Sequence, residues 1–288
     1  MEGALQLNAI RPGFVAEAEG LDPARPLSAG AVEAVRAAFA DYGVLVFRGC
    51  RQMEDAQLEA FGRQFGPLFN TASGFKQHGA RSIVRITNLD SEGRLLPEDH
   101  SFRASNAANA FWHVDNSFSE PPAKFSALLA RVVPPEGGET EFADARGAYD
   151  ALPPETKRRI EGLEAVHSYI HSRSLTGVTF TEEQRQALPD RVRPLALRDA
   201  RTGRRALYLS SHIRELLGVE PVETRRLLDE LTRFATQPQF VYRHPWRPGD
   251  LLMYDNQAVL HRAMPFSDMV YPRDMRALRV MLEPETGA

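Results

Sequence analysis

Apolar residues recur at helical spacing near the N-terminus and in short strand-like runs over most of the remaining chain. Val32, Val35, Ala38 and Phe39 share one face of a helix predicted over Leu27–Asp41, with Ser28 placed as its N-cap. Tyr42-Gly43-Val44-Leu45-Val46-Phe47 reads as a buried strand, and a second helix over Met53–Phe65 stops at Gly66-Pro67. From Ile83 onward the spacing predicts strands over Ile83–Thr87, Ser126–Val133, Thr140–Ala143, Arg205–Leu209, Phe240–His244, Asp250–Tyr254 and Arg276–Leu282, punctuated by Gly, Pro, Asn and Asp. Helices interrupt them at Ala145–Ala151, Pro154–Glu161 and Val222–Thr236, the last with a Leu227, Leu228, Leu231, Phe234 stripe. Many short strands so punctuated predict a mainly β fold with flanking helices, a sandwich or jelly-roll barrel. The polar stretch 168–204 reads as a lid or insert, and with no linker and no repeat, residues 1–288 are expected to form a single domain.

Composition narrows the class. The chain has 288 residues, 43% hydrophobic and 25% charged, which excludes a disordered or fibrous protein. A single cysteine, Cys50, excludes an intramolecular disulfide framework and any Cys-based zinc or iron–sulfur site. A net charge of −3 without a basic block gives no reason to expect nucleic acid. No apolar run approaches membrane-spanning length, and Met1–Ile10 does not read as a secretory signal. The expectation is a soluble cytoplasmic enzyme. Only Lys76, Lys124 and Lys157 are lysine among 35 basic residues, so an arginine carries weight only through its spacing to something else.

The chemistry concentrates around Phe111-Trp112-His113-Val114-Asp115. On a strand, His113 and Asp115 project from one face and offer two adjacent metal ligands. Iron(II) in oxygenases takes two histidines and one carboxylate and keeps open positions; His261, after a predicted strand, is the best-placed third ligand. The segment Gly137-Gly138-Glu139-Thr140-Glu141-Phe142 follows the first pair, and Arg273, Arg276 and Arg279 follow His261. A keto-diacid cosubstrate needs an arginine for bidentate grip of its distal carboxylate, and the Thr140 hydroxyl offers a further hydrogen bond.

Trp112-His113-Val114-Asp115-Asn116-Ser117-Phe118, the Gly137–Phe142 segment with Asp144, and His261 followed by arginines resemble the taurine/2,4-dichlorophenoxyacetate family of iron(II)- and 2-oxoglutarate-dependent dioxygenases. The resemblance runs from about Val44 to Val280. It is closer to the 2,4-dichlorophenoxyacetate branch through Ala130–Pro134, Leu207–Ser210, Ile213–Glu215 and His244-Pro245-Trp246. It implies a double-stranded β-helix, the cupin-like jelly roll, holding Fe(II) by His113, Asp115 and His261. It also implies 2-oxoglutarate held by Thr140 and by Arg273 or, in an alternative register, Arg276. The second arginine that the family often places four residues on is here Ala277, leaving Arg276, Arg279 or another group to meet a substrate anion.

The implied reaction hydroxylates a C–H bond of a small organic acid with dioxygen, releasing succinate and carbon dioxide, and cleaves an ether where the attacked carbon bears one. A phenoxyalkanoate-like aryl ether is the nearest substrate by branch, with an alkylsulfonate or natural-product intermediate as the alternative. Asn109 and His212 match positions beside substrate, while Phe75, Phe111 and Trp246 are candidate apolar lining. His167 and His171, four apart, read as structural or lid residues on one helix. A homo-dimer or tetramer is expected. A non-catalytic jelly-roll binder and a zinc hydrolase stand as readings from other classes. The intact ligand trio argues against the binder, and the missing His-Glu-x-x-His against the hydrolase.

Overall fold

The computed structural model describes residues 3–70, 82–100, 103 and 106–283. Among the described residues there are fifteen strands: β1 Gln6–Arg11, β2 Val15–Glu19, β3 Val44–Phe47, β4 Val84–Thr87, β5 Ala123–Val132, β6 Thr140–Asp144, β7 Glu164–His167, β8 Arg191–Pro194, β9 Ala196–Arg198, β10 Arg205–Leu207, β11 Ile213–Leu216, β12 Val241–His244, β13 Leu251–Asp255, β14 Val259–Ala263 and β15 Asp274–Met281. The helices among the described residues include α1 Ala29–Ala38, α2 Asp55–Arg63, α3 Ala145–Ala151, α4 Pro154–Ile160, α5 Tyr169–Ser174, α6 Glu182–Ala187 and α7 Pro221–Ala235.

Two sheets face one another. The larger runs β1-β2-β3-β13-β5-β15-β4, antiparallel except where β2 meets β3; the smaller is β12-β6-β14. This is the jelly roll expected from the punctuated strands. Period-two alternation sorts the central strands into two layers. Leu45, Phe47, Phe125, Ala127, Leu129, Leu251, Met253, Leu278 and Val280 pack outward with Val35, Phe39, Leu58 and Phe61 of α1 and α2. Val44, Val46, Leu128, Ala130, Leu252, Tyr254, Met275 and Ala277 turn inward to meet Phe142 and Val259 of the smaller sheet. Strands β3 and β13 are buried at every position, as strands covered on both faces must be.

Local chemistry sets the helix ends. The Ser28 hydroxyl accepts from the Ala31 amide at the start of α1, as predicted. Glu54 and Gln57 form a reciprocal capping box on α2. Asp144 caps α3 by accepting from Arg146 N.

The segment 168–204 is more ordered than its polarity suggests. It contains α5, α6, β8 and β9, and β8 joins β7 and β11 in a three-stranded sheet. Leu195, fully buried, anchors it to the second core. His167 ends β7 while His171 lies in α5, so the two do not share a helix face. Phe75 lies outside the described residues. No helix among those described is long and apolar enough to cross a membrane.

Candidate active site

The inward faces of β5, β13, β14 and β15 converge on the segment that carries His113. That segment is not a regular strand. His113 and His261 form a single antiparallel bridge, each amide donating to the other's carbonyl at 3.0 and 2.9 Å. His261 sits on β14, a strand hidden in the sequence by the Asp255-Asn256-Gln257 turn that precedes it. The bridge brings the two imidazole centroids to 4.2 Å. Asp115 completes the group: one ligating atom from each of the three residues lies within 4.8 Å of the others, and all three are buried.

Their partners pre-orient them. His113 Nδ1 sits 2.7 Å from the Phe111 carbonyl, which makes Nδ1 the protonated nitrogen and leaves the Nε2 lone pair toward Asp115. Asp115 Oδ2 accepts from Ser126 Oγ at 2.7 Å and from Tyr254 Oη at 3.0 Å, while Oδ1 accepts from Arg279 at 3.1 Å. The Asp115 amide donates to Asn256 Oδ1, and Asn256 Nδ2 donates to Ser126 Oγ, closing the network. Tyr254 and Asn256 straddle the end of β13, so the turn hiding β14 also braces the carboxylate.

Electrostatics suit a cation. Burial, reinforced by His113, pushes the His261 imidazole down to about 3, and burial lowers His113 too. Burial works against the Asp115 carboxylate, yet the Arg279 guanidinium, helped by the Ser126 hydrogen bond, holds its pKa well below the usual carboxylate range. Two neutral imidazoles and one carboxylate, all buried and converging, fit a divalent metal of borderline softness with positions left open.

One cavity is lined by His113, Asp115 and His261 together with Asn109, Thr140, Arg273 and Arg279. A second of about 340 Å³ adjoins it, sharing Ile86, Asn109, Ala263 and Arg273. Arg273 is buried with no carboxylate partner among the described residues. Its Nε donates to the Gly138 carbonyl at 3.3 Å, and burial alone pushes its guanidinium down to about 10. Gly138 has φ +71°, and a Cβ there would sit 2.9 Å from Pro134 Cγ and 3.4 Å from Arg273 Cδ. The paired glycines therefore let the arginine enter the site.

Arg276 is placed elsewhere. It lies on the opposite face of β15, paired with Asp55 of α2 at 3.2 Å and with Asp274, so the alternative cosubstrate register does not hold. The reason is the pleat: Arg273 and Arg279 share a face, and Arg276 has the other parity. Ala277 faces inward, buried, without a polar group.

His212 is 3% exposed, its ring edge-on to His113 at 6.1 Å and to Phe118 at 4.7 Å. It is on neither cavity wall and supports His113 from behind. Phe111 is exposed. Trp246 packs against the inward core and lines neither cavity, and its indole donates to Thr140 Oγ1 at 3.0 Å. His167 is buried against Ser117. Burial pushes the Cys50 thiol up to about 12, which leaves it inert at neutral pH. Ser126 and Tyr254 escaped notice in the sequence. Their signal is parity: both occupy inward positions on strands flanking the metal segment.

A jelly roll with two histidines and one carboxylate at its inner face, beside a buried unpaired arginine, has the makeup of a non-haem iron oxygenase that uses an anionic cosubstrate. Comparison with known proteins agrees. The family model described as "Taurine catabolism dioxygenase TauD, TfdA family" matches residues 6–281, and the chain belongs to that family. The alpha-ketoglutarate-dependent 2,4-dichlorophenoxyacetate dioxygenase of Cupriavidus pinatubonensis is 40% identical over 274 residues, covering 93% of this chain and 95% of that protein. The (S)-phenoxypropionate/alpha-ketoglutarate-dioxygenase of Sphingobium herbicidovorans is 36% identical, covering 87% and 86%. The crystal structure of AAD-2 in complex with Mn(II) and N-oxalylglycine superposes with a TM-score of 0.89 at 38% identity, covering 99% of this chain and 100% of that one. The protein is an Fe(II)- and 2-oxoglutarate-dependent dioxygenase acting on a small molecule with dioxygen as oxidant. The non-catalytic binder and the zinc hydrolase are thereby set aside.

Proposed function

We propose that the protein hydroxylates the carbon beside the ether oxygen of a small aryloxyalkanoic monocarboxylate, so that the product breaks down and the aryl ether is cleaved. His113, Asp115 and His261 hold Fe(II). Thr140 and Arg273 take the distal carboxylate of 2-oxoglutarate, Arg273 by a two-pronged guanidinium contact in a dry site. When bound, ferrous ion, 2-oxoglutarate and dioxygen supply the oxidant, with succinate and carbon dioxide as by-products. The protein's part is to orient the C–H bond and keep water out.

The observation that carries the substrate class is Arg279. Over the loaded site as a whole, the divalent metal, Arg273 and Arg279 carry one positive charge more than the dianionic cosubstrate and Asp115. Arg279 is the cation left over, buried in the same cavity on the same face of β15. Without the metal it pairs with Asp115. With the metal supplying Asp115's counter-charge, its guanidinium is available to one further negative charge, which a monocarboxylate provides. Arg279 thus serves where Ala277 offers nothing. Asn109, on the wall of both cavities, is placed to touch the same substrate. The 2,4-dichlorophenoxyacetate and phenoxypropionate relatives support an aryl ether acid over an alkylsulfonate or natural-product intermediate. A cytoplasmic location without nucleic-acid or membrane partners is part of the same reading and draws on the absence of a basic block and the single buried free cysteine, while the homo-dimer or tetramer rests on family membership alone.

The test is a substrate panel with the Fe(II)-loaded enzyme, 2-oxoglutarate and air, following phenol and succinate together. Phenol in step with succinate from an aryloxyacetate, and none from its methyl ester, is expected. Succinate formed only with a sulfonate or sulfate ester would overturn the substrate class while leaving the reaction class standing.

A further inference from the structure

Thr140 has one hydroxyl proton and an oxygen that also accepts, and what surrounds the oxygen decides where the proton goes. Indole N–H is a donor only, and Trp246 Nε1 donates to Thr140 Oγ1 at 3.0 Å. That contact occupies one of the oxygen's two lone pairs, so the hydroxyl proton points elsewhere, and it is unspent among the described hydrogen bonds. Thr140 is buried and lines the cavity that Arg273 also lines. The free proton therefore serves a group that only accepts, such as a carboxylate.

Trp246 is itself held. His244, fully buried, pairs across the strands with Thr140 in the β12–β6 register. Its ring meets the Trp246 ring edge-on at 4.6 Å. His244 Nε2 lies 3.0 Å from Asp250 Oδ2 and its Nδ1 3.0 Å from Tyr242 Oη. Asp250 also accepts from Arg48 at 2.6 Å and from the Arg247 amide at 2.8 Å. An ion pair, an imidazole and an indole are thus stacked behind one hydroxyl, and each link narrows the freedom of the next.

We propose that Trp246 is a positioning residue for the cosubstrate: by donating to one lone pair of Thr140 Oγ1, it turns the hydroxyl proton away from the indole and toward the distal carboxylate of 2-oxoglutarate. This rests on the assignment of Thr140 and Arg273 to that carboxylate. Trp246 acts through Thr140 and needs no contact with the cosubstrate itself.

The test is a double-mutant cycle on the Mn(II)-loaded protein, with 2-oxoglutarate affinity read by calorimetry so that no turnover is needed. Trp246→Phe and Thr140→Val should each weaken binding about three- to tenfold, the worth of one hydrogen bond, and the double variant should bind no worse than Thr140→Val alone. Mn(II) affinity should be unchanged in all of them. Losses that multiply in the double variant, or a Trp246→Phe variant that binds like wild type, would overturn the proposal. Absence of 2-oxoglutarate binding by the wild type would instead sink the cosubstrate assignment. Should Trp246→Phe not fold, Trp112→Phe leaves Trp246 as the single indole. Its emission should then shift on 2-oxoglutarate addition and shift far less with Thr140→Val added; equal shifts would overturn the proposal.

Discussion

The guanidinium of Arg279 donates to Asp115 Oδ1 at 3.1 Å, at the inner face of the larger sheet and beside both histidines of the site. An arginine so close to a metal carboxylate competes with the metal for it, and gains freedom once the metal is present. Arg279→Met should therefore raise the KM for a carboxylate substrate by at least about tenfold, the loss expected when a charge-assisted contact is removed. Mn(II) affinity should hold or improve. Arg279→Lys should recover part of the KM. A fall in metal affinity with an unchanged KM would reduce Arg279 to a brace for Asp115.

Arg273 and Arg276 give a paired prediction. Arg273→Ala removes a buried cation with no carboxylate of its own, and should weaken 2-oxoglutarate by about a hundredfold or more. Arg276→Ala should leave that affinity alone and lower stability by about 1–3 kcal/mol, since Asp55 is partly screened by solvent while buried Asp274 keeps Arg85 as a second partner. Calorimetric titration of both variants, with urea unfolding alongside, checks the pair.

Gly138→Ala tests the approach of Arg273. The new methyl meets Pro134 and the Arg273 side chain at a positive φ, which should cost about 1–3 kcal/mol of stability. It should also weaken 2-oxoglutarate while sparing Mn(II). A variant with wild-type cosubstrate affinity would show that the arginine has room to move aside.

The hydrogen bonds to Asp115 Oδ2 predict metal affinity. Ser126→Ala and Tyr254→Phe each remove one donor without touching a ligand, and each should weaken Mn(II) or Fe(II) by about tenfold. Competition with a chromophoric chelator gives the number. Unchanged affinity in both variants would mean that Arg279 on Oδ1 and the Asn256 bond to the Asp115 amide suffice to position the carboxylate.

Acid should destabilise the metal-free protein early. His113, His167, His212 and His261 are buried, and burial holds each imidazole below its ordinary value, His167 and His261 at about 3. The unfolded chain then binds the extra protons. This contribution is complete above about pH 6.5 and is lost as pH falls from there toward 3, at up to about 1.4 kcal/mol per imidazole per pH unit. Urea midpoints should be level above about pH 7 and fall steadily below about pH 6. Bound Mn(II) should delay the fall, because His113 and His261 are then held neutral by the metal.

Much of the fold was legible from local pattern. The helices at 145–151 and around Val222–Thr236, the Ser28 cap, and the strands at 126, 140, 241 and 251 follow from periodicity and turn residues, which act over a few neighbours. The metal trio was legible because His-x-Asp and a distal histidine carry their chemistry in their residue types. The sequence left Arg273 and Arg276 both open, and only in the folded sheet does Arg276 take the parity that faces α2. Strands β1, β2, β7, β8, β9, β11 and β14 were not legible: β1 and β8 have no fully buried position to set a pattern, β9 is three residues long, and β14 is masked by the turn at Asp255-Asn256-Gln257.

What the amino-acid sequence determined by itself is the set of elements and the identity of the chemical groups, since propensity, capping and side-chain type reside in adjacent residues. The tertiary structure alone decided which groups meet. His113 and His261 are 148 positions apart yet share one antiparallel bridge. Asp115 acquires Ser126, Tyr254 and Arg279 from three different strands, and Thr140 acquires Trp246. Such contacts depend on strand pairing and register, which long-range burial selects among many locally equivalent arrangements. For that reason the sequence could name Arg279 and Trp246 without saying what either one touches.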